Sequence, residues 1–134
     1  MDPSEPIAVA GRDVIIIEHE FLFAQSIADQ LADLGARIVG TAATPQRVGE
    51  IVRSRSALDL VIADLALDGE NIAPLIVEMV GRGAEVVLST ALSTREVPGE
   101  LTSLPYLRKP YDPAVAFTAR KSPSSLAYSR SGKP

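Results

Sequence analysis

Three apolar runs without polar alternation constrain the fold most: Val14-Ile15-Ile16-Ile17, Leu60-Val61-Ile62-Ala63 and Val86-Val87-Leu88. A strand with one wet face alternates apolar and polar side chains. Continuous β-branched runs belong instead to strands covered on both faces, as in the middle of a parallel sheet. Parallel neighbours need crossover connections, and the intervening segments read as helices. Phe23, Ile27, Leu31 and Leu34 recur at spacings of three and four, with Gly35 as a C-terminal stop. Thr44-Pro45 supplies an N-cap and a first-turn proline ahead of Val48, Ile51 and Val52. A third helix is expected from about Ile72 to Val80, with Pro74 in its first turn and Gly81 and Gly83 closing it.

Residues 37–41 form a further short strand and Leu104–Arg108 a fifth. Pro98 and Gly99 interrupt the segment STREVPGELTS, which reads as a short or frayed helix. A last, undersized helix is expected from Pro113 to about Arg120. Five strands alternating with helices through right-handed crossovers make an open, doubly wound α/β sheet. A chain of 134 residues holds one such domain, expected over residues 12–120, between a leader at 1–11 and a tail at 121–134.

Charge and composition exclude several functions. Residues 1–118 carry 9 basic and 17 acidic side chains, a balance of −8, whereas 119–134 carry 4 basic and none acidic. So acidic a body repels phosphate backbones, and nucleic acid is not an expected partner. The Ser- and Pro-rich tail has too few apolar residues to pack and reads as disordered, with weak electrostatic docking as its alternative. Cysteine is absent, which removes disulfides, thiolate metal sites and thiol catalysis. His19 is the only histidine, so two-histidine zinc sites are excluded. No apolar run reaches the roughly 20 residues of a membrane span, and the N-terminus MDPSEPIAVA lacks the features of a secretory leader. A cytoplasmic protein without a membrane partner is the expectation.

Doubly wound sheets bind ligands outside the carboxyl ends of their strands. Those ends carry Glu18-His19-Glu20, Asp64, Ser89-Thr90 and Lys109-Pro110. Neither GxGxxG nor GxxxxGK[ST] occurs, so a nucleotide would find no phosphate cradle. By residue type alone each position has a second reading. Asp64 suits a turn or a helix cap, Lys109 a solvated lysine, Thr90 a structural hydroxyl, Tyr106 a packed ring and Pro110 a rigid turn. Ser89 is one residue out of register with Thr90 and should face the other side of the sheet.

In order and spacing, the stretches VIIIEHE, DLVIADLAL, VVLSTA and YLRKP resemble the receiver domain of bacterial response regulators over roughly residues 12–119. ADLALDGENIAP and KPYDPA look like the stand-alone, single-domain receivers. This resemblance implies a flavodoxin-like fold of strand order 2-1-3-4-5 with helices on both faces. It also implies a phosphoryl-accepting module of a two-component phosphorelay, at most self-phosphorylating and self-dephosphorylating, and not a conventional enzyme. Carried over by position, Asp64 is the phosphoacceptor and Glu18 an acidic-pocket residue. The backbone carbonyl of Ala66 is a metal ligand alongside Glu18 and Asp64. Thr90 binds the phosphoryl oxygen, Lys109 is the cation, Tyr106 the switch aromatic, and Lys109-Pro110 a cis-peptide candidate. The implied partners are a sensor histidine kinase or phosphotransfer protein, a downstream protein, and a second copy of the chain.

His19 departs from the family pattern, in which most members carry an aspartate that helps hold Mg²⁺. Magnesium takes hard oxygen ligands, so the expected Mg²⁺ site is weakened and Mn²⁺, which tolerates nitrogen, becomes an alternative. A protonated His19 could instead serve as a built-in cation, or the imidazole could simply face solvent. The competing function is a degenerate receiver that binds a protein partner constitutively, without turning over phosphate.

Overall fold

A computed structural model describes residues 5–120 of the chain. Its elements begin with β1 (Ile7–Ala8), β2 (Asp13–Ile17), α1 (Phe21–Asp33), β3 (Arg37–Ala42), α2 (Pro45–Ser54) and β4 (Leu60–Ala63). There follow β5 (Ala66–Leu67), β6 (Glu70–Asn71), α3 (Ala73–Gly81), β7 (Glu85–Thr90), β8 (Tyr106–Arg108), α4 (Pro113–Ala116) and β9 (Phe117–Thr118). The central sheet is parallel, five-stranded and ordered β3-β2-β4-β7-β8. Counted by the five strands expected from sequence, this is the order 2-1-3-4-5. The basic tail at 121–134 lies outside the described residues.

Strand alternation sorts the core into two layers. Ile15, Ile17, Val61, Ala63, Val86, Leu88 and Tyr106 pack with Val48, Ile51 and Val52 of α2 and Ile76 and Met79 of α3. Their neighbours Val14, Ile16, Leu60, Ile62, Val87 and Leu107 face the other way, against Ile27 and Leu31 of α1 and Ala116 of α4. Both faces of the β2 and β4 runs are therefore dry, which is why those runs lack polar residues. Each fully buried isoleucine or leucine contributes about 1.5–3 kcal/mol.

Local signals behave as the residue types require. Thr44 Oγ1 accepts the Arg47 N–H at 3.2 Å with Pro45 at the start of α2. The far end of α2 is capped across the fold, where the Arg82 guanidinium donates to the carbonyls of Val52 and Arg55. Gly35 follows α1 at φ +97°, where a side chain would be strained.

Two segments differ from expectation. In place of a fourth-crossover helix there are two 3₁₀ turns, Thr94–Glu96 and Gly99–Leu101, separated at Pro98, which has no N–H to continue a helix. The last helix stops after four residues, because Phe117 and Thr118 turn extended and pair with Ile7 and Ala8. Burial of Phe117, 2% exposed, wins over helix propagation there. Residues 7 and 8, within the stretch read as a leader, thus form a strand of their own.

Candidate functional site

Backbone hydrogen bonds continue past the strand ends and stitch three site residues together. The Asp64 N–H donates to the Ile17 carbonyl at 2.9 Å, the Glu18 N–H to Ala42 at 2.9 Å, and the Lys109 N–H to Thr90 at 2.8 Å. Residues remote in sequence are thereby set side by side at the carboxyl edge of the sheet, where a doubly wound fold presents its ligand crevice.

The Lys109 ammonium lies between two carboxylates, 2.6 Å from Glu18 Oε1 and 2.8 Å from Asp64 Oδ2. Glu18 is 4% and Asp64 8% exposed. Two buried carboxylates would repel each other, and the shared cation removes that cost. Burial alone would lower the Lys109 pKa, but the hydrogen bonds to Asp64 and Glu18 outweigh it and raise the value above its ordinary range. The outer oxygens are also engaged. Glu18 Oε2 accepts the Glu20 N–H and Asp64 Oδ1 the Ala66 N–H, both at 3.1 Å. Asp64 thus makes the local turn contact its residue type suggests and faces the lysine as well.

Thr90, 1% exposed, ends β7, and its Oγ1 accepts the Leu92 N–H at 3.3 Å. Tyr106 is buried in the same core layer as Leu88, Val97 and Leu101. Ala66 touches Asp64 through its N–H and opens the β5–β6 hairpin, whose turn residues Asp68 and Gly69 have φ of +52° and +80°. Positive φ at both central positions is the geometry that Asp-Gly favours in a two-residue hairpin turn. The Lys109–Pro110 peptide is cis.

Among the described residues, His19 has no hydrogen bond or ion pair to Glu18 or Asp64. Its Nδ1 lies 3.9 Å from Asp68 Oδ1, and both side chains are more than half exposed. Among the described residues no group of three or more His, Cys, Asp and Glu side chains is placed to hold a metal ion. Glu18 and Asp64 offer oxygens of the right hardness for Mg²⁺, yet all four already accept hydrogen bonds, two of them from the ammonium. As arranged, two carboxylates with an ammonium between them make a weak magnesium site.

Sequence reasoning missed the aromatic wall of this site. Lys109 Nζ lies 4.7 Å from the centroid of Phe23, whose ring meets Tyr111 edge-on at 5.7 Å and 85°. The Tyr111 hydroxyl in turn hydrogen-bonds Ser89 Oγ at 2.7 Å. Burial pushes the Tyr111 pKa up to about 12. The usable signal was Tyr111 two residues beyond the lysine, combined with Ser89 facing the side of the sheet opposite Thr90.

No protein-family model and no curated protein matches the chain. Solved structures do match it. The receiver domain of the PhyR response regulator from Erythrobacter litoralis is 26% identical over 95% of this chain and 97% of its own, with a TM-score of 0.68. A CheY-like receiver domain from Methylobacillus flagellatus shares the fold at 20% identity, 78% and 91% coverage and a TM-score of 0.65. The anti-anti-sigma factor PhyR from Bartonella quintana is 28% identical over 82% of this chain but only 44% of its own, with a TM-score of 0.59. In fold and along most of its length, the family that this chain resembles is that of the response-regulator receiver domains.

Proposed function

We propose that the chain accepts a phosphoryl group on Asp64 from a histidine kinase or phosphotransfer protein and signals by protein contact, as a cytoplasmic phosphorelay component. The observation that supports this most is the Lys109 ammonium held between Glu18 and Asp64 at the carboxyl edge of the sheet. In the transfer, an Asp64 carboxylate oxygen attacks phosphorus as the phosphorus–nitrogen bond of the donor phosphohistidine breaks. The bonding pair returns to the imidazole, which takes up a proton. Such a transfer is limited by charge more than by bond-making, and Lys109 supplies the positive charge where it is needed. Thr90, joined to Lys109 through its carbonyl, would bind a phosphoryl oxygen through its hydroxyl and relay the change to Tyr106 in the same layer. Only a contact that differs between the two states can shift their populations. Likeness to a response regulator described as an anti-anti-sigma factor favours a protein as the downstream partner.

Acetyl phosphate labelling followed by mass spectrometry tests the assignment: the label is expected on Asp64 and lost in Asp64→Asn. Label retained in that variant would refute it.

The degenerate-receiver reading has its own support in the exposure of His19, which lies beside Asp68 and not against Glu18 or Asp64. It requires that neither Mg²⁺ nor Mn²⁺ bring about labelling of the wild-type chain, while a protein partner binds wild type and Asp64→Asn equally.

A further inference from the structure

Thr90 and Tyr106 lie on the α2–α3 side of the sheet. The contacts that surround the rest of Lys109 lie on the other side. Phe23, near the start of α1, places its ring 4.7 Å from the ammonium. That face of the ring is attractive to a cation and offers it no hydrogen bond, so it borders the ammonium without competing with the carboxylates. Phe23 is itself met edge-on by Tyr111, which precedes α4. Tyr111 cannot turn freely, because its hydroxyl is bound to Ser89 Oγ, a side chain only 2% exposed at the end of β7. A continuous series therefore runs Ser89, Tyr111, Phe23, Lys109, from rigid strand to reactive cation.

We propose that Tyr111 and Phe23 are positioning residues for Lys109. They hold its ammonium at the midpoint between Glu18 and Asp64, and through them the occupancy of Asp64 is felt where α1 packs against α4. The inference rests on the reading of Asp64 as phosphoacceptor for its consequence, but not for the positioning itself. A phosphoryl group on Asp64 draws the ammonium toward its oxygens. The Phe23 ring then loses part of its cation contact, and the Phe23–Tyr111 pair is free to shift. Signal would leave the site on this face independently of Thr90.

Full-length wild type is compared with Phe23→Leu, Tyr111→Leu and Tyr111→Phe, the last keeping the ring and removing only the hydroxyl. Lys109 side-chain proton resonances should be displaced upfield by the Phe23 ring current in wild type. That displacement should vanish in Phe23→Leu and shrink in both Tyr111 variants. Asp64 labelling by acetyl phosphate should slow about tenfold in Phe23→Leu and Tyr111→Leu, and less in Tyr111→Phe. Ser89→Ala should reproduce Tyr111→Phe, and the double variant Ser89→Ala/Tyr111→Phe should go no further, because both remove the same bond. Lys109 resonances unchanged in the folded Tyr111→Phe and Phe23→Leu chains would overturn the positioning. Changed resonances with wild-type labelling rates would overturn its bearing on phosphotransfer. If wild type itself takes no label, the phosphoacceptor reading fails, and the resonances still decide the positioning.

Discussion

Lys109 Nζ stands 2.8 Å from Asp64 Oδ2, already in hydrogen-bonding contact with the carboxylate assigned the nucleophilic role. With the same ammonium 2.6 Å from Glu18, the resting site is a closed three-charge cluster and not an open acidic pocket.

Removing the cation tests that description. Lys109→Met leaves Glu18 and Asp64 facing each other while largely buried. Unfolding free energy at pH 7 should fall by about 3 kcal/mol. Asp64 labelling should slow about 100-fold. Denaturant unfolding of both proteins at pH 7 checks the first part; an unchanged unfolding free energy would mean that the acids do not repel.

Divalent-ion binding is expected to depend on His19. With only Glu18 and Asp64 as carboxylates and all their oxygens engaged, wild type should bind Mg²⁺ weakly. His19→Asp adds a hard ligand and should raise the affinity about tenfold or more. Calorimetric titration of both proteins with Mg²⁺ decides this, and equal affinities would remove His19 from the explanation. Mn²⁺, which accepts nitrogen more readily, should discriminate less between the two.

Much of the sheet was legible because its signals were redundant. The runs at 14–17 and 60–63 left no face for water, and Thr44-Pro45 opened α2 as its chemistry dictates. The grouping of Glu18, Asp64 and Lys109 followed from the rule that strand ends converge. What could not be read was set by contacts between segments. Phe117 becomes a strand residue only because Ile7–Ala8 lies beside it. The aromatic wall was hidden for a similar reason. Phe23 scored as one more apolar position on a helix, and Tyr111 as a residue after a proline, until α1 and the β8–α4 loop were brought together. His19 carried no signal for its direction, which leaves its Nδ1 3.9 Å from Asp68 Oδ1.

Alkaline pH should weaken the same corner of the protein through two groups. Lys109 and Tyr111 both have folded pKa values raised above their unfolded ones, Tyr111 to about 12. Both folded-state groups hold their protons longer, so their contribution is intact below about pH 10 and is lost as pH rises through the folded values. Stability should fall with pH above about 10, less steeply in Tyr111→Phe. In an absorbance titration at alkaline pH, the difference between wild type and Tyr111→Phe should show one phenol titrating near pH 12. A Tyr111 transition near its ordinary value would contradict its burial, which raises the value against the lowering effect of the bond to Ser89.

At the opposite, amino end of the sheet a second charge cluster provides a test of stability apart from the proposed phosphotransfer. Arg12, 8% exposed, donates to Asp59 at 2.6 and 3.1 Å and to Glu85 at 2.7 Å, tying the starts of β2, β4 and β7. Its pKa is raised because these hydrogen bonds together outweigh the opposing effect of burial. Breaking a fully buried pair costs about 3–5 kcal/mol. Here both carboxylates are more than a third exposed, so water takes over part of the solvation and Arg12→Met should cost about 1–2 kcal/mol. Among the described residues, no hydrogen bond or ion pair joins this cluster to Lys109, Glu18 or Asp64, so the Asp64 labelling rate should stay within about twofold of wild type. Arg12→Met thus serves as the control for Lys109→Met, because it lowers stability without moving the cation. A labelling defect in Arg12→Met comparable to that of Lys109→Met would mean that loss of fold stability, not loss of the ammonium, explains both.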